Sequence, residues 1–139
     1  MTKDAAAALT HAAHEAARQG DRRIGTDHLL LGLLHDSGVV DTLGADVEQA
    51  RAAARDLDHA ALAALGIDLG TMPGPSAPRK VGHAPLTSGL RAVIARAVAL
   101  ASGEKTRKVQ PRHLLAALQE RRQPDPAATL LKALNIDHQ

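Results

Sequence analysis

The sequence predicts an all-α fold: a pseudo-two-fold tandem repeat of short helices. Composition is the first observation. Ala (29) and Leu (20) dominate the apolar residues, Val and Ile together number 11, and Phe, Tyr, Trp and Cys are absent. Ala and Leu lead the helix scale, whereas strands favour β-branched and aromatic residues. The second observation is self-similarity. Displaced by 85 residues, the chain matches itself without a gap from Thr2 to Leu34. Thr2 falls on Thr87, Ile24 on Val109, His28 on His113, and Leu29, Leu30 and Leu33 on Leu114, Leu115 and Leu118. The matched positions Ala5, Ala8, Leu9, Ala12 and Ala16 share one helix face, as do Leu90, Val93, Ile94, Ala97 and Ala101.

Each copy reads as helix, loop, helix. The first helix is expected from about Thr2 to Gln19, with Gly20 as its C-terminal stop. After a polar loop, Thr26 is expected to cap a second helix from Asp27 to about His35, with Asp27 complementing the helix dipole. In the second copy Thr87 caps a helix to about Ala101. A charged loop spans Gly103 to Gln110, and Pro111 opens the next helix, a position it tolerates.

A shorter motif follows: an apolar residue, two variable positions, Leu, a Gly or Asn stop, an apolar residue and Asp. It occurs at Val40–Asp46, Leu62–Asp68 and Leu131–Asp137, and each copy predicts a short helix ending in a turn. Residues Asp46 to Leu57 predict a further Ala-rich helix. Gly70 to Pro85 holds four Pro and three Gly and reads as a linker. One domain over 1–139 is expected: repeat 1 over about 1–69, the linker over 70–85, and repeat 2 over 86–139.

Composition also excludes functions. Without Cys there is no disulfide framework, thiol nucleophile or cysteine metal site. Without aromatics there is no stacking platform for single-stranded nucleic acid. No apolar run reaches the ~18 residues of a membrane span, and no signal-peptide pattern opens the chain, so a cytoplasmic location with no membrane partner is expected. The net charge is +2; with neither Cys nor Tyr to titrate, this small excess suffices for the pI of 9.4, so the pI is no nucleic-acid signature.

The segment Gly25-Thr26-Asp27-His28-Leu29-Leu30-Leu31-Gly32-Leu33-Leu34 resembles the G-T-E-H-L-L-L-G-L-L segment of the Clp N-terminal (Clp R) repeat domain, most closely that of ClpC-type ATPases. The family's aromatic-Thr pairs correspond to Met1-Thr2 and Leu86-Thr87, and its V-L-x-x-L-G-V-D to the stop motif. The resemblance implies two four-helix repeats and a non-enzymatic module that receives substrates and adaptors. Departures are a linker region about ten residues longer than the family leads one to expect, the loss of aromatics, Arg112 where the family has an acid before His113, and the missing last helix. Asp58–Leu65 is a candidate to stand in that helix's place.

The resemblance further implies recognition of phosphorylated arginine, a Thr at a helix N-terminus facing the phosphate and the acid before His pairing with the guanidinium. Carried over, the first pocket would use Thr2 with Asp27; in the second, Thr87 stands with Arg112, which would repel a guanidinium and suits an anion or carboxylate. Met1 and Leu86 would offer apolar contact to a cyclic-peptide antibiotic or an adaptor. Degron peptides, phosphoarginine proteins and Clp ATPase or peptidase components are the implied partners. A plain structural role stands beside this: Thr2, Thr26 and Thr87 as caps, Asp27 as dipole partner.

Eight His residues raise the question of a metal, but H-E-x-x-H is absent, and His28 and His113 read better as helix-start residues bonded to a loop carbonyl or a neighbouring cap. No catalytic constellation, cofactor motif or P-loop occurs. The alternative class is a small helical DNA-binding regulator using Arg22-Arg23, Arg107-Lys108 and Arg121-Arg122. Solvated loop charges explain these pairs more simply.

Overall fold

The computed structural model describes residues 1–66 and 84–136. Among them are seven helices: α1 (Lys3–Arg18), α2 (Thr26–Leu33), α3 (Ser37–Leu43), α4 (Val47–Ala64), α5 (Ser88–Ser102), α6 (Pro111–Gln119) and α7 (Pro126–Ala133). Four belong to repeat 1 and three to repeat 2. Most of the expected linker, and Asp68 and Asp137 of the stop motif, lie outside the described residues.

Local chemistry sets most boundaries. Thr2 and Thr87 cap α1 and α5, their hydroxyls accepting from Ala5 N (3.2 Å) and Leu90 N (3.1 Å). Asp36 and Asp125 cap α3 and α7. Asp46 and Gln49 form a reciprocal box at the start of α4, at 2.8 and 2.9 Å. The stop residues take the left-handed conformation: φ is 71° at Gly44, 80° at Gly66 and 60° at Asn135, with Gly20 at 72° after α1.

Two expected boundaries change. Thr26 is the first residue of α2 and Gly25 its cap, because His28 Nδ1 takes the Gly25 N–H and the Thr26 hydroxyl is engaged elsewhere. The helices expected at Asp46–Leu57 and Asp58–Leu65 are one helix, α4. No Gly or Pro interrupts the Ala-rich run before Gly66. Asp58–Leu65 thus forms no separate helix; α4 packs on α1's repeat and also reaches α7.

The core is centred on α2. Leu29, Leu30, Leu31 and Leu33 are fully buried, and α2 touches α1, α4, α5, α6 and α7. The pseudo-two-fold relation appears in the packing: α1 meets α6 as α5 meets α2, and α2 meets α7 as α6 meets α3. It also appears in the backbone. Thr87 N donates to Ile24 O at 2.9 Å, and the equivalent Thr2 N donates to Val109 O at 2.8 Å. A further bond, Ile24 N to Pro85 O (2.9 Å), completes a parallel bridge between Ile24 and Leu86.

The two copies pack differently inside. In repeat 1 the Gly32 backbone meets α1 directly: a Cβ there would lie 2.4 Å from Ala8 O and 2.7 Å from Ala12 N. The equivalent Ala117 is accommodated in repeat 2. Alanines at 5, 8 and 12 let α1 approach closely, whereas the positions matching 5 and 8 are the larger Leu90 and Val93.

Candidate functional site

The N-cap threonines are docked on the opposite repeat, which decides what each faces. Thr87 sits beside the start of α2. A Cβ on Gly25 would meet Asp27 Oδ1 at 2.8 Å and the Thr87 methyl carbon Cγ2 at 3.7 Å, so Asp27 and Thr87 both border Gly25. Thr2 is tied to Val109, the segment leading into α6 and Arg112. The arrangement expected from sequence, Thr2 with Asp27 and Thr87 with Arg112, is therefore crossed: Asp27 lies with Thr87, and Thr2 docks on Arg112's repeat. Repeats matched in sequence exchange partners in space, which local spacing does not reveal.

The two junctions differ in charge. The Asp27 carboxylate is partly exposed, 3.6 Å from the His28 ring. Its counterpart Arg112 is engaged within the chain: Nη1 donates to Glu104 Oε2 at 2.9 Å and Nη2 donates to Glu104 Oε1. Hydrogen bonds from Arg112 and then His113 hold the Glu104 carboxyl at about 2. A ligand anion at Arg112 must compete with this carboxylate. Met1 is exposed, and Leu86 is half-buried in the bridge.

His28 and His113 are structural. Each Nδ1 accepts from the backbone N–H of its helix cap, Gly25 or Gln110, at 2.9 Å. Each Nε2 faces a loop carboxylate, Asp21 at 2.7 Å and Glu104 at 2.9 Å. An Nδ1 that accepts and an Nε2 that donates fix the same tautomer in both repeats. A loop carbonyl or a neighbouring cap was expected; the rings instead bond the cap of their own helix and a loop carboxylate. Among the described residues, no group of three His, Asp or Glu is placed to hold a metal ion.

Sequence reading missed two polar interactions, one between the repeats and one inside repeat 1. Thr26, buried, donates to Asp125 Oδ2 at 2.9 Å and accepts from Ala127 N at 3.2 Å, so repeat 1 completes the N-terminus of α7. The equivalent position in repeat 2 is Pro111, which has no hydroxyl. Glu15 in α1 is buried and bound in two-pronged fashion by Arg51 of α4, at 2.9 and 2.6 Å. Burial pushes its carboxyl up, but the Arg51 hydrogen bonds and charge, with His35 at 3.5 Å, leave it below the ordinary range. Beside the α5 start, Arg121 Nη2 lies 3.5 Å from where a Cβ on Gly89 would be.

Among the described residues no helix is long and apolar enough to cross a membrane. No curated protein matches the chain. The crystal structure of the N-terminal domain of caseinolytic protease associated chaperone ClpD from Arabidopsis thaliana is similar in fold, with a TM-score of 0.75 at 22% identity over 99% of this chain and 86% of that one. The Clp repeat (R) N-terminal domain matches residues 1–134, spanning both repeats, and the chain belongs to that family.

Proposed function

We propose that this chain is a binding module of the Clp proteolytic system that receives a degron carrying phosphorylated arginine and works as an adaptor, decoy or sequestering protein. The observation that supports the reading is that Asp27 and Thr87, from opposite repeats, both border Gly25. A partly exposed carboxylate suits a forked guanidinium, and a helix start suits the phosphate attached to it. At the same helix start Arg121 and Asp125, paired at 3.3 Å, both border Gly89. Apolar Met1 and Leu86 offer surface to an adaptor or a cyclic peptide, and a Clp ATPase or peptidase component is the partner class. The junction at Arg112 is closed by Glu104, so one site per chain is expected.

Calorimetric titration with free phosphoarginine tests the reading. Saturable binding at one site, lost in Asp27→Ala and weakened in Thr87→Val, is the expected result. Absence of heat at millimolar ligand overturns it.

A further inference from the structure

The C-terminal half of α4 carries more apolar surface than the core covers. Its inward stripe begins with buried Ala50, continues through partly buried Ala53, Ala54 and Leu57, and runs on to exposed Ala61 and Leu65. Leu65 is 75% exposed. Between this half of α4 and α7 lies a groove of about 500 Å³, with Leu57, Ala61, Pro126 and Leu130 among its apolar walls. That volume is in the ~300–1,000 Å³ range of ligand clefts.

Among the described residues the charges at its rim have one sign. Among the described residues lining it, the charged ones are Asp27 and Asp58. Arg18 and Arg55 line a separate depression of about 260 Å³ on the α1 side of α4, which shares only Gln19, Ala54 and Asp58 with the groove. Burial and the charges of Asp21 and Asp27 push the Asp58 carboxyl up, so a cation between Asp27 and Asp58 would relieve carboxylate repulsion.

We infer that this groove holds a short basic peptide segment of a partner protein, its cationic side chain between Asp27 and Asp58 and an adjacent aliphatic side chain on Leu57, Ala61 and Leu130. Charge complementarity selects the occupant, and the small side chains along α4 admit its backbone closely. The groove shares Asp27 with the phosphoarginine site but does not include Thr87, so the two readings stand or fall separately.

The test is amide chemical-shift mapping with the pentapeptide Gly-Leu-Arg-Leu-Gly and its counterpart with Glu in place of Arg. The Arg peptide is expected to shift the amides of Leu57, Asp58, Ala61 and Thr129 saturably, and the Glu peptide to leave them in place. Asp58→Asn is expected to weaken the Arg peptide about threefold, the scale of a half-exposed ion pair. Ala61→Arg, at an exposed position that should not disturb folding, is expected to abolish binding, and Thr87→Val to leave it unchanged. Equal shifts with both peptides, shifts confined to other surfaces, or none at about 5 mM peptide overturn the inference.

Discussion

Gly32→Ala gives the sharpest test of how the two repeats differ. The added Cβ would stand 2.4 Å from Ala8 O and 2.7 Å from Ala12 N, where ordinary contact begins near 3.4 Å. Both neighbours are backbone atoms, so no side chain can swing aside, and α1 and α2 must separate by about 1 Å. Such a gap forfeits a quarter to a half of the dispersion energy of the contacts it opens, and Leu29, Leu30 and Leu33 are all fully buried in that layer. Overpacking costs about 3 kcal/mol, at the upper end because the obstacle is rigid. Ala in a helix regains about 1 kcal/mol over Gly. The net expectation is a loss of about 2 kcal/mol, or about 8 °C in Tm for a domain of this size. Without Trp or Tyr, unfolding is followed by circular dichroism of the helices in urea. Ala117→Gly, the reverse change at the matched position, is also expected to destabilise, by about 1–2 kcal/mol, because α6 has room for the methyl and loses it. A Gly32→Ala protein as stable as the parent would refute the backbone-contact argument.

Arg51→Ala strands the buried Glu15 carboxylate and should cost about 3 kcal/mol, while the double change Glu15→Leu with Arg51→Leu should recover most of it. Leu100 already occupies the position equivalent to Glu15 in repeat 2. Because the native Glu15 carboxyl titrates below its unfolded value, the pair's contribution is complete above the ordinary glutamate range and disappears as pH falls through the depressed native value. Urea midpoints measured across acid pH should therefore fall more steeply in the parent than in Arg51→Ala. Thr26→Val removes a bond to the Asp125 carboxylate and should cost about 1.5 kcal/mol, with amide exchange quickening first in α7. Carbon-13 titration should place the Glu104 carboxyl at about 2, and Arg112→Ala should return it toward the ordinary range.

The caps and stops were legible because each is a local device repeated along the chain. Thr2 and Thr87 bond three residues ahead, and the stop motif puts Gly44, Gly66 and Asn135 at the one backbone conformation that ends a helix this way. The expectation for Thr26 failed for the opposite reason: its partner, Asp125, is 99 residues away, and nothing nearby signals it. Arg112 read as a free cation because Glu104 lies eight residues back across a loop in which Arg107 adopts φ 53°. The only available signal was an acid and a base flanking that loop. Crossed docking of the threonines was equally hidden. An internal repeat tells which residues are equivalent, but not that each repeat receives the other's cap.

That exchange turns the difference between the junctions into a design test. In repeat 1, a loop carboxylate (Asp21) serves the His28 ring and a second carboxylate (Asp27) remains beside the helix start. In repeat 2, Glu104 already serves the His113 ring, but Arg112 occupies the second place and draws the same carboxylate to itself. Arg112→Asp therefore reproduces the repeat 1 arrangement without removing the bond that holds His113. If a carboxylate before the His is what admits a guanidinium, calorimetry with phosphoarginine should move from one site per chain to two. Asp27→Ala in that background should leave the new site alone. Binding that stays at one site in Arg112→Asp, with His113 still bonded to Glu104 by its ring resonances, would show that the carboxylate is not the selecting group.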